Sequence, residues 1–245
     1  MPLLKSARSA VVSVLRPWVR DIGAELLHRT SLLDPARLAR DKLTITTFHR
    51  VLPERELAEY PMPGIAVTPE ELDWLLALFT KHYTPGTLGE MATRFALGDR
   101  PDKPLMAITF DDGQRDNHRC ARPVLAKNGV HASFFVVADA TEHDQTLWHD
   151  RVAYALRAAL LADRARAESF LARLSVTREA SDVIHACVSA LKRMTPEQRD
   201  LSLHELEALG GGAQRPAWDG MMSWDELKEL HAEGKLTPTQ AVLCA

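Results

Sequence analysis

Ile108-Thr109-Phe110-Asp111-Asp112-Gly113 is the stretch that decides the fold. Together with Leu105-Met106-Ala107 it makes a run, Leu105 to Phe110, that is almost wholly apolar and predicts a strand covered on both faces, as in a parallel sheet. The run stops at two adjacent carboxylates and a glycine. The C-terminal ends of parallel strands are where α/β sheets and barrels hold their chemistry. Neighbouring carboxylates repel, so they stay ionised only beside a cation, a shared proton or strong donors, and a divalent metal is the simplest answer. Gly113 gives the backbone the freedom to turn both acids toward one cavity. An Asp-Asp-Gly hairpin bend is the structural alternative, but the residues after Gly113 read as a helix instead of a partner strand.

Downstream, Arg115 to Asn128 reads as a helix closed by Gly129, and Ala132 to Ala138 as another apolar strand. Strand, helix and strand in this spacing form a βαβ unit with a right-handed crossover. Upstream, Lys42 to His49 alternates and is rich in β-branched residues, which predicts a first strand. Arg50 to Ile65, with three prolines and a glycine, reads as a loop. Thr68-Pro69-Glu70-Glu71 is a capping box that starts a helix over 69–82, and a shorter helix spans about Leu88 to Leu97. From about Asp150 to Gln214 the chain is helical in character, with a second capping box at Thr195-Pro196-Glu197-Gln198 and an end at Gly210-Gly211-Gly212. A third box, Ser223-Trp224-Asp225-Glu226, opens a helix that Gly234 closes.

The 245 residues, 46% of them hydrophobic, suffice for one large core or two small ones. A net charge of −3 leaves no basic footprint for a phosphate backbone, so nucleic acid is excluded as a partner. Cys120, Cys187 and Cys244 lie far apart without a C-x-x-C spacing, which argues against a disulfide framework and a zinc ribbon. Residues 1–33 alternate leucine, valine and Trp18 with arginines, and Arg16-Pro17 interrupts any continuous apolar run. No signal peptide or membrane span is expected there; an amphipathic helix packing on the domain is, with peripheral contact to a membrane surface as the alternative. The expected location is cytoplasmic or at the inner face of a membrane.

Beyond the acid pair, Thr47-Phe48-His49-Arg50-Val51, Ala132-Ser133-Phe134-Phe135-Val136, Leu147-Trp148-His149-Asp150-Arg151-Val152 and Met221-Met222-Ser223-Trp224-Asp225-Glu226-Leu227 each resemble a segment of the polysaccharide deacetylase family. The resemblance spans roughly residues 40 to 234. It implies an α/β fold, a partial and distorted (β/α) barrel with a helical insertion. Residues 1–40 would be an N-terminal helical extension, 41–150 the first part of the barrel, 151–214 the insertion and 215–245 a return to the barrel. It also implies metal-dependent hydrolysis of N-acetyl groups on a carbohydrate polymer, with Asp111 as general base and Asp112 as ligand to zinc or a similar divalent metal.

The family's other two ligands come from a His-Ser/Thr-x-x-His motif, and no pair of histidines in this chain has that spacing. His231 is the last histidine, and it falls within a helix. One carboxylate alone holds such a metal poorly, so the expectation is a truncated half-site: weak metal binding, no deacetylation and exposed sheet edges. His49, Trp148 and Asp150 are the candidates for the rim or for substrate contact, whereas His118, His131, His143 and His149 read as surface or structural residues. The competing reading is a non-catalytic remnant or sugar-binding pseudoenzyme, and a weaker one is a magnesium phosphohydrolase using the acid pair.

Overall fold

The structure, a computed structural model, describes residues 34–177, 182–212 and 215–232. A helical turn α1 (Pro35–Leu38) precedes β1 (Thr44–Phe48), β2 (Arg50–Val51), α2 (Glu54–Glu59), a 3-10 turn at Pro63–Ile65 and β3 (Ala66–Val67). Then come α3 (Pro69–His82), β4 (Thr84–Gly86), α4 (Leu88–Ala96) and the central strand β5 (Leu105–Phe110). A π-helical turn at Asn117–Ala121 runs into α5 (Arg122–Lys127), followed by β6 (Ser133–Phe134). The remainder is helical: α6 (Ala138–His143), α7 (Trp148–Ala162), α8 (Arg164–Arg173), α9 (Val183–Leu191), α10 (Pro196–Leu209) and α11 (Trp224–Ala232).

β5 is the hub of a parallel sheet. One edge pairs with β1 from Thr44↔Met106 to Phe48↔Phe110. The other edge is shared: β4 takes the N-terminal half, Thr84↔Leu105 to Gly86↔Ala107, and β6 the C-terminal end, Thr109↔Ser133 and Phe110↔Phe134. β2 and β3 form a separate parallel pair. The α/β class with parallel strands therefore stands, but among the described residues the strands do not close into a barrel.

All six residues of β5 are buried, as its unbroken apolar run predicts. Met106, Ile108 and Phe110 face the main core of Val51, Leu72, Leu76, Leu125, Phe134, Met222 and Leu230. Leu105 and Ala107 face a smaller cluster under α4 with Met91. Phe110 is stacked between Phe48, at 5.3 Å, and Phe134, at 5.0 Å; burial of such a ring is worth about 1.5–3 kcal/mol. The helices after Leu147 build a second core around Leu156, Phe170, Leu191, Leu203 and Leu206. α7 joins the two bodies of packing, because Ala153 and Tyr154 on another of its faces pack with Leu52, Tyr60 and Met62.

All three capping boxes form. Glu71 N–H donates to Thr68 Oγ1 at 3.1 Å and the reciprocal bond is 2.8 Å, with equivalent pairs at Thr195/Gln198 and Ser223/Glu226. Three local expectations need correction. Arg50 to Ile65 holds a short strand, α2 and a 3-10 turn, since Leu52 N–H can reach Val67 O at 2.9 Å. The helix after Gly113 contains the π-helical turn. The helical stretch expected from about Asp150 opens with the helix that starts at Trp148. The strand expected over Ala132 to Ala138 forms a ladder with β5 only at Ser133–Phe134; Phe135 N–H still donates to Phe110 O at 2.8 Å, but β5 bends at Asp112 and Val137 N–H reaches Asp112 O only at 3.5 Å. The expected amphipathic helix in 1–33, the cap at Gly234, Cys244 and residues 235–245 lie outside the described residues.

Candidate functional site

β5 carries its backbone straight to the acids: Asp111 N–H donates to Phe48 O at 2.9 Å, continuing the ladder with β1 by one residue. The chain then bends. Asp112 has φ +73° and Gly113 φ +79°, two consecutive left-handed residues. Aspartate tolerates that region better than most residues, and held there it stores strain of the kind that collects at functional sites. A Cβ on Gly113 would lie 2.8 Å from Val136 Cγ1, so the turn also needs glycine for space. It is clamped from the far side, where Met222 N–H donates to Gly113 O at 2.9 Å and Arg115 N–H to Gly220 O at 2.8 Å. The segment 220–222 thus fastens the acid-bearing turn to the start of α11. The turn is no hairpin.

Both carboxylates line an open cleft of about 450 Å³, with Thr47, Thr109, Phe135 and Val137 among its walls. Burial pushes the Asp111 carboxyl up, the nearby His49 imidazole pulls it back, and the Asp112 charge raises it again. His49 is held from behind by Asn117 Nδ2, which donates to its carbonyl at 2.8 Å. His149, at the start of α7, points its Nε2 between Asp112 Oδ2 at 3.8 Å and Asp150 Oδ2 at 3.7 Å.

Beneath the cleft lies a buried polar cluster. Arg50, 1% exposed, donates through Nε to Asp116 Oδ2 at 2.8 Å and through Nη2 to Asp219 Oδ1 at 2.7 Å, while its Nη1 stops 3.6 Å from Asp150 Oδ2. Asp116 also accepts from Val51 N–H at 2.6 Å. Asp150 accepts from Tyr60 Oη at 2.7 Å and Gln114 Nε2 at 3.0 Å, and Asp219 from Tyr154 Oη at 2.8 Å. Burial raises the Asp116 and Asp150 carboxyls; the Arg50 charge opposes it at Asp116, and the His149 imidazole and then Arg50 oppose it at Asp150. The π-helical turn brings Asp116 and Asn117 to the same corner between β1 and β2, so one helix end holds His49, Arg50 and Val51 together.

Asp111 and Asp112 therefore share one mouth, with His49 near enough for its charge to bear on Asp111. Asp150, expected at the rim, is 1% exposed and is spent on the cluster beneath. Trp148 packs against the helical core, with the Arg199 guanidinium 4.6 Å over its ring. His149, read from sequence as structural, is the imidazole beside Asp112. The i, i+1 run His149-Asp150 within the Trp-His-Asp-Arg segment was the available signal: consecutive residues of a helix point to different sides, so one reaches the cleft and the other the interior.

Residues 98–200 match the family model described as polysaccharide deacetylase. YxkH of Bacillus subtilis (strain 168), whose name places it among polysaccharide deacetylases, is 36% identical over 53 residues, 22% of this chain and 19% of that protein. Over these stretches the chain is similar to the polysaccharide deacetylase family. Among solved structures it is similar to IcaB from Ammonifex degensii (TM-score 0.42, 18% identity, 80% of this chain and 50% of that one). It is also similar to a de-N-acetylase from Aggregatibacter actinomycetemcomitans (TM-score 0.40, 12% identity, 80% and 52%). A third similarity is to the Streptococcus pyogenes deacetylase PplD in complex with acetate (TM-score 0.34, 21% identity, 45% and 49%). The chain spans about half the length of these solved relatives.

The donors around Asp112 do not fit a bound metal. Among the described residues no group of three or more His, Cys, Asp or Glu side chains is arranged to hold one. Asp112 offers one carboxylate with His149 Nε2 3.8 Å from it, and Asp150, on the other side of that imidazole, has both oxygens engaged by Tyr60 and Gln114.

Proposed function

We propose that this chain carries the acid–base half of a site that hydrolyses N-acetyl groups on a carbohydrate polymer. The observation that carries the reading is the turn at Asp111-Asp112-Gly113, which directs two carboxylates into one open cleft at a parallel strand's end. In this reaction water adds to the acetamide carbonyl carbon, the C–N bond breaks, and acetate and a free amine leave. Asp111 takes the proton from water and passes it to the departing amine nitrogen; partial burial raises its proton affinity and so improves it as a base near neutral pH. Thr47 and Thr109, whose hydroxyls are 2.9 Å apart, supply hydroxyl groups to the same cleft. Asp112 is the position that the family resemblance assigns to a metal. Among the described residues the donor set there does not fit one, which leaves the carbonyl without a Lewis acid to polarise it.

The 245-residue polypeptide is accordingly proposed to bind divalent metal weakly and not to release acetate. Metal analysis of the purified chain and acetate assays with N-acetylglucosamine oligomers test this together. One equivalent of tightly held zinc, or turnover abolished by Asp111→Asn, would overturn the proposed inactivity while supporting the hydrolase class. Binding of the oligomers without either result favours the second reading, a sugar-binding protein without catalysis, which the poor donor set at Asp112 supports.

A further inference from the structure

Away from the acid pair, an open polar cleft of about 740 Å³ lies between the helical insertion and the segment that leads to Gly220. Three arginines line it: Arg115 from the end of the acid-bearing turn, Arg151 from α7 and Arg215 from the segment after the insertion. Their guanidinium groups are only partly satisfied. Arg215 Nη2 is bonded to Asp144, and its Nη1 is buried with no hydrogen-bond partner among the described residues. Arg151 spends Nε and Nη2 on Glu207, at 2.9 and 3.0 Å, which leaves its Nη1. Arg115 comes no closer than 3.7 Å to Asp144, beyond hydrogen-bond range. The third carboxylate in the lining, Asp219, is taken up by Arg50, Tyr154 and Gly220 N–H.

Three cations thus face two carboxylates that are free to balance them, and guanidinium donors remain unused. A buried donor without a partner costs about 1–3 kcal/mol, and planar guanidinium forks are suited to carboxylates and phosphates. Gln145 and Thr146 add uncharged polar groups of the kind that bind hydroxyls. The volume lies in the range of small-ligand sites.

We propose that this cleft is a subsite for an acidic saccharide unit, a sugar ring bearing a carboxylate, on the polymer that the chain recognises. The anionic group sits among Arg115, Arg151 and Arg215, and the ring hydroxyls meet Gln145 and Thr146. The choice of a saccharide rests on the carbohydrate-polymer reading above; the anionic part rests on the three arginines alone. The test is calorimetric titration of the full chain with a galacturonate trimer, N-acetylated chitotriose and inorganic phosphate. The galacturonate trimer is expected to bind about tenfold more tightly than chitotriose, with an affinity that falls as salt rises. Arg115→Gln should weaken it about tenfold with an unchanged melting temperature, and Arg115→Lys, which keeps the charge but loses the fork, should fall between. Equal affinity for the neutral trimer, or an unchanged affinity in both Arg115 variants, overturns the proposal. Phosphate binding as tightly as the trimer overturns the saccharide assignment. Binding needs no turnover, so arginine-dependent binding without acetate release removes only the hydrolase reading, and turnover without such binding removes only the subsite.

Discussion

Arg50 Nη2 lies 2.7 Å from Asp219 Oδ1 across 169 positions of sequence, and the same guanidinium holds Asp116 at 2.8 Å. One side chain at the end of the first sheet edge therefore fastens the π-helical turn and the segment before α11, the two pieces of chain that fix the acid-bearing turn from below. A charge so deeply buried is tolerable only because its partners are in place.

Arg50→Met should cost about 3–5 kcal/mol, because it leaves three buried carboxyls without their cation. Arg50→Lys should recover less than half of that loss, since one ammonium cannot span two carboxylates in different directions. Urea unfolding of the three proteins measures both. A loss under about 1 kcal/mol for the methionine variant would mean that the cluster does not hold the fold.

Gly113→Ala should destabilise by roughly 2 kcal/mol or more, from the left-handed φ and from the approach to Val136. Adding Val136→Ala removes the steric part and leaves the backbone part, so the double variant should unfold at an intermediate denaturant concentration. A double variant as unstable as the sum of the singles would show that the two residues are not coupled.

Phe110→Ala should cost about 3–5 kcal/mol, as the ring fills the space between Phe48 and Phe134 at the centre of the main core. Phe110→Leu should cost about half of that. Thermal unfolding followed by circular dichroism ranks the pair.

Asp144 gives a pH test. Its partial burial raises the carboxyl, but the hydrogen bonds from Arg215 and Met221 N–H and the charges of Arg215 and Arg115 outweigh that and hold it below the usual carboxylate value of 3.8. A depressed folded value means that the ionised group stabilises the fold above the unfolded value, and that this contribution is lost as pH falls through the folded one. Asp144→Asn should therefore lower stability by about 1 kcal/mol at pH 7, a figure kept small by solvent exposure. The two proteins should converge in stability below pH 3.8. Parallel stability profiles across that range would refute the ion pairs.

Local sequence carried the elements whose signals are local. The apolar run Leu105 to Phe110, the capping box before Pro69 and the glycine after two aspartates each fix backbone geometry through neighbours within a few residues, and each appears where the sequence predicts it. The apolar run after Ala132 misled, because whether such a run pairs as strand is settled by how far β5 extends beside it.

Folding alone decided which side chains meet. Sequence placed Asp111 and Asp112 at a strand end; only the tertiary structure put His149 beside Asp112, sank Asp150 into the Arg50 cluster and brought Arg115, Arg151 and Arg215 around one cleft. The reason is physical: backbone propensities act over a few residues, whereas desolvated charges select partners by position in space, however far apart they stand in the chain.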